Sequence, residues 1–135
     1  MKITFLGHAT LEIQINEFNL LVDPFISGNP MASNVDLDDL KPDFILITHA
    51  HQDHTLDVEK LAKDNNSLII SNFEIVSHFQ SKGLNGHPMN HGGKWNFDFG
   101  ELKYVNAIHT STFPDGSNGG QPGGFIITSN NKSIY

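Results

Sequence analysis

At 135 residues, with 38% hydrophobic and 17% charged side chains, the chain has the size and composition of one folded domain, residues 1–135, and not of a disordered segment. Fifteen acidic residues face eight basic ones, all lysine, for a formal charge of −7. This excludes the basic stripe with which nucleic-acid binders neutralise phosphates. With no cysteine, disulfides and thiolate metal sites are excluded, and no apolar run approaches the roughly 20 residues of a bilayer span. The expected partner is a small molecule, with neither nucleic acid nor membrane, and the expected location is cytoplasmic, since Met1–Gly7 lacks a signal-peptide core.

Lys2 to Leu6 reads as a strand ending at Gly7. Leu11, Ile13 and Ile15 alternate with Glu12 and Gln14 as in a half-buried strand. Asn16-Glu17 is a turn, and Leu20-Leu21-Val22 returns as a more buried strand, completing an antiparallel meander closed by Asp23-Pro24. Ser27 to Asp39 is polar and reads as a loop. Phe44-Ile45-Leu46-Ile47 is a continuous apolar run, the pattern of a strand covered on both faces. A helix is expected after His54-Thr55, with Val58, Leu61 and Ala62 on one face. Leu68-Ile69-Ile70 follows as a buried strand, and Phe73 to Lys82 as a helix capped by Gly83. Trp95 to Phe99, Leu102 to Ile108, Phe125 to Thr128 and Ser133 to Tyr135 read as strands. Asn130-Asn131 is a hairpin turn, and Trp95 and Phe97 are expected in the core. The order predicts a mixed α/β fold with one internal sheet and helices outside.

His49-Ala50-His51-Gln52-Asp53-His54 packs four metal-ligating side chains into six residues directly after a buried strand. Residues two apart on extended backbone point the same way, so His49 and His51 can share one ion while Asp53 and His54, past a turn, address a neighbouring one. Imidazole and carboxylate suit zinc or manganese, with nickel or iron as further candidates. His109, in phase with Val105 and Ala107, would complete a three-imidazole set; the alternative is a core histidine. Asp23 reads either as a group behind the ligand loop, fixing an imidazole tautomer, or as a turn residue. His8 and His91 each read as pocket-lining residues near the metals or as surface histidines, whereas His78 and His87 read as surface. Gly116 to Gly124 is a glycine-rich loop, either a pliable rim or a simple connection.

The run His49–His54 resembles the signature of the metallo-β-lactamase fold superfamily. Ile3–Thr10, Leu21–Phe25, Met89–Gly93 and Ala107–Ser111 resemble a branch of metal-dependent hydrolases akin to ascorbate-6-phosphate lactonases. The resemblance implies an αββα sandwich, of which this chain is the N-terminal half. It implies His49, His51 and His109 on a first metal, and Asp53 and His54 on a second, with Asp53 also catalytic. It also implies a bridging Asp and a final His that this sequence lacks, which leaves the second ion only two donors and suggests the N-terminal portion of a longer protein. The implied function is hydrolysis of an ester, lactone or phosphodiester of a small polar substrate by a metal-activated hydroxide. The alternative is an incomplete metal-binding module that self-associates, and a homo-oligomer is expected.

Overall fold

The computed structural model describes residues 1–135 as a mixed α/β fold with two sheets. The first sheet has six strands in chain order: β1 (Lys2–Gly7), β2 (Thr10–Ile15), β3 (Phe18–Val22), β4 (Phe44–Leu46), β5 (Leu68–Asn72) and β6 (Gly86–Met89). Strands β1 to β3 form the antiparallel meander, and β3 to β6 run parallel. The second sheet is antiparallel, in the order β10 (Lys132–Ile134), β9 (Gly123–Ser129), β8 (Gly100–Asn106), β7 (Lys94–Phe97). Three helices, α1 (Gln52–Thr55), α2 (Val58–Asn65) and α3 (Phe73–Gln80), lie in the β4–β6 region.

The apolar run at β4 is buried on both sides because its residues serve two cores. Leu21, Ile45, Ile47 and Ile69 point to the helices and meet Val58, Leu61, Ala62, Ile75 and Phe79. Leu20, Leu46 and Ile70 point the other way and meet Leu102, Tyr104, Phe125 and Ile127 of the second sheet. Adjacent residues on one strand face opposite sides, so the double apolar coding of Leu20-Leu21 and Ile69-Ile70 marks a sheet sandwiched between layers.

This corrects the expectation of one internal sheet: strands β7 to β10 form a second sheet, whose inward face is the other half of the inter-sheet core. Ile3 and Phe5 nonetheless stay 47% and 61% exposed. They pair with Ile13 and Leu11, so they share the inter-sheet face but extend past the second sheet's coverage. Trp95 is also corrected. It is 56% exposed because β7 is an edge strand, and its ring tilts against His87 at 5.3 Å, where β6 forms the other sheet's edge. The turn at Asn130-Asn131 has φ of 51° and 58°, the positive pair that a two-residue hairpin requires. No helix is long and apolar enough to cross a membrane.

Candidate metal centre

The site is built where β3 and β4 end side by side. Their parallel register, Val22 with Leu46, delivers Asp23 and Thr48 to the same edge. Asp23 takes a left-handed backbone (φ 46°), fixed by its N–H to the Leu46 carbonyl at 2.9 Å and by Thr10 Oγ1, which donates to the Asp23 carbonyl at 2.7 Å. The Asp23 carboxylate, 2% exposed, then accepts three bonds. Thr48 N–H reaches Oδ1 at 2.8 Å, Thr48 Oγ1 reaches Oδ2 at 2.7 Å, and His54 Nδ1 reaches Oδ2 at 2.9 Å.

These bonds decide which imidazole nitrogens are free. The Thr48 hydroxyl proton is spent on Asp23, so Thr48 Oγ1 accepts the N–H of His49 Nδ1 at 2.9 Å, and His49 Nε2 carries a bare lone pair. His54 gives its Nδ1 proton to Asp23, so its Nε2 is bare as well. Burial pushes His49 down to about 3, and repulsion by His54, His51 and His109 adds to it, so the ring is neutral at neutral pH.

Two sets of donors result. His49, His51 and His109 bring their ligand atoms within 4.8 Å of one another, with His49 Nε2 3.1 Å from His51 Nδ1. His8, Asp53 and His54 form the second set within the same limit. The His49 and His54 rings lie 4.0 Å apart between centroids, which makes the two sets neighbours. A bare nitrogen aimed at a second imidazole nitrogen, with a third imidazole beside them, is a donor set that fits a divalent cation.

The expected strand ending at His109 is corrected: β8 stops at Asn106, Ile108 is 99% exposed, and His109 sits in the loop that follows. That loop is held against the ligand segment. Ala50 N–H donates to Ser111 Oγ at 3.1 Å, and Ser111 Oγ donates to the Gly119 carbonyl at 2.9 Å. A Cβ on Gly119 would stand 2.3 Å from Ala50 Cβ, so only glycine permits this approach. Asn72, 4% exposed, donates to the Gly119 and Gln121 carbonyls at 2.8 and 3.0 Å. The glycine-rich segment is therefore a fitted wall.

The helix expected after Thr55 is α2, with Val58, Leu61 and Ala62 buried as expected; a separate short helix, α1, precedes it and already carries Asp53 and His54. His91 lies in neither donor set; it bonds the Pro122 carbonyl at 2.9 Å and stacks on Tyr104 with centroids 5.0 Å apart. His78 is not a plain surface residue, since it stacks on Phe113 at 3.9 Å. Thr10, Thr48, Asn72 and Ser111 were not singled out from the sequence; only Asn72, an N-cap residue before an apolar helix, carries a local signal. A cavity of about 390 Å³ reaches from His49, His54 and His109 between the sheets, walled by Leu11, Ile13 and Phe125.

A sandwich of one mixed and one antiparallel sheet with histidine and aspartate donors gathered at one edge defines a metal-site domain of the metallo-β-lactamase kind. The chain belongs to the beta-lactamase superfamily domain family, which it matches over residues 18–135. It is 60% identical over 135 residues to a UPF0173 metal-dependent hydrolase of Flavobacterium johnsoniae, and 60% identical over 136 residues to one of Christiangramia forsetii. Each match covers 100% of this chain and 60% of the relative. The chain thus spans about three fifths of the length of these relatives. Among solved structures, Igni18, a metallo hydrolase from Ignicoccus hospitalis, is similar with a TM-score of 0.81 and 27% identity, over 98% of this chain and 57% of that one.

Proposed function

We propose that this chain carries the metal-holding part of a hydrolytic site that cleaves an ester, lactone or phosphodiester bond of a small molecule. The observation that carries this reading is the pair of adjacent three-donor sets whose imidazole tautomers are fixed by Asp23 and Thr48. The relatives' name, metal-dependent hydrolase, supports it. Zinc or manganese bound there would supply an acidified water and a polarised scissile oxygen. The protein's part is to hold and orient. His49, His51 and His109 grip one ion, and His54 and Asp53 address the second. Asp53 also orients the attacking water and takes its proton on a carboxylate oxygen. The apolar walls of the cavity accommodate the part of the substrate beside the reacting bond.

The test is hydrolysis of a panel of esters, lactones and phosphodiesters by the chain stripped by chelation and reloaded with zinc or manganese. Turnover should appear on reloading and vanish in H49A. Hydrolysis that survives chelation, or a chain that takes up no ion, overturns the reading.

Ile3 and Phe5, exposed on the inter-sheet face, favour a second reading, a metal-binding module that self-associates. Sedimentation of the 135-residue chain at micromolar concentration should then show a dimer or larger species, and F5K should shift it toward monomer. A wild-type monomer at all concentrations rules this out.

A further inference from the structure

His8 is placed by a costly turn. Gly7 and His8 have φ of 106° and 54°, and a non-glycine residue in the left-handed region is strained unless its surroundings impose it. They do so here. A Cβ on Gly7 would stand 3.0 Å from Asn29 Nδ2 and 3.2 Å from Met31 Cβ, and the β1–β2 pairing shifts register between Phe5 and Gly7. The next hairpin residue but one, Thr10, clamps Asp23 and Phe25 through its hydroxyl. One hairpin therefore ties down the Asp23 turn and delivers an imidazole to the same edge. The ring meets Phe25 edge-on, with centroids 5.8 Å apart.

At that edge His8 Nε2 lies 3.2 Å from Asp53 Oδ2 and 3.4 Å from His54 Nε2. Asp53 Oδ2 is an acceptor. His54 Nε2 is an acceptor too, because its ring proton sits on Nδ1 against Asp23. Two lone pairs thus converge on His8 Nε2, and a single N–H there must be shared between them at long range. A divalent cation among the three atoms replaces that proton and takes all three lone pairs. Nothing bonds His8 Nδ1, so the ring proton moves there without losing a partner.

We infer that His8 is the third protein donor to the second cation, an inference that rests on the two-site reading above. The ligand set drawn from the sequence gives that ion only Asp53 and His54. The β1–β2 hairpin adds a third, so each ion receives three donors from this chain.

The metal-free 135-residue chain is titrated with zinc by calorimetry, with ion content measured by elemental analysis after desalting, for the wild type, H8N and H49A. Asparagine tolerates the left-handed backbone, so H8N removes the imidazole with little strain, and its melting transition verifies the fold; H8G replaces it if that transition is lost. The wild type should bind two ions. H8N should keep one tight ion and bind the second about tenfold or more weakly. H49A should lose the other ion and keep the site that contains His8. Two ions in the wild type with both affinities unchanged in H8N overturn the role of His8 alone. One ion in the wild type, unaffected by H8N, also overturns it and leaves the three-imidazole site standing. No ion in the wild type overturns the two-site reading itself.

Discussion

Asp23→Asn should cost the chain its metal affinity while changing its volume hardly at all. The carboxylate accepts three bonds, from Thr48 N–H, Thr48 Oγ1 and His54 Nδ1. An amide has one accepting oxygen and one donating NH₂. With the oxygen kept on Thr48 N–H, the NH₂ faces Thr48 Oγ1 and His54 Nδ1, both of which now donate. Each can answer only by turning its proton elsewhere. His54 moves its proton to Nε2, which blocks the nitrogen aimed at the second ion. The Thr48 hydroxyl turns toward His49 Nδ1 and moves that ring's proton to Nε2 as well. One isosteric change therefore disables a donor in each set. A loss of about 10- to 100-fold in zinc affinity at both sites is expected. Asp23→Ala should instead cost stability, roughly 3 kcal/mol or more, because three donors at a nearly fully buried position lose their acceptor. Zinc titration and urea unfolding of the two variants separate the effects. D23N with wild-type affinity at both sites would show that Asp23 does not set the tautomers.

The residues legible in the sequence are those whose signal is local. His49, His51, Asp53 and His54 lie within six residues, and a strand running into a short helix aims them without help from distant chain. The meander, β4, β5 and α3 were visible because alternation, apolar runs and caps are read within one element. The second sheet was not, since the alternation of β8 and β9 is the same whether their inner face meets helices or another sheet. Strand β6, Gly-His-Pro-Met, has no pattern of its own and exists through pairing with β5; its edge position tolerates Pro88. Ala107 and Ile108 prolong the apolar pattern and so predict a strand up to His109, yet the chain leaves the sheet at Asn106 and Ile108 points to solvent. Thr10, Thr48 and Ser111 each act on at least one distant partner, Asp23 for the first two and Ala50 for the third, 13 to 61 residues away, and no window of sequence contains that information.

Asn72→Asp should destabilise the chain about as much as Asn72→Ala, although it keeps the helix cap. Asn72 Oδ1 accepts from Ile75 N–H at 2.9 Å and caps α3, a task that a carboxylate performs at least as well. Its Nδ2 has two protons and spends them on the Gly119 and Gln121 carbonyls. In N72D a charged oxygen confronts both carbonyl oxygens at these distances, buried from water. The expected cost is roughly 3 kcal/mol, with the segment behind Ser111 and His109 released from β5. Affinity at the three-imidazole site should fall, while the site that contains His8 is spared. The penalty also carries a pH signature. Apposed carbonyl oxygens and burial raise the introduced carboxyl's folded-state pKa above its unfolded value. Below the unfolded value both states are protonated, and the acid donates to one carbonyl, so the penalty is smallest. As the pH rises past the unfolded value toward the folded one, the unfolded chain ionises first and the penalty grows. The stability gap between N72D and the wild type should therefore widen from about pH 4 to pH 7, while the gap for N72A stays flat. Equal pH dependence in the two variants would show that the Asn72 amide does not hold the loop.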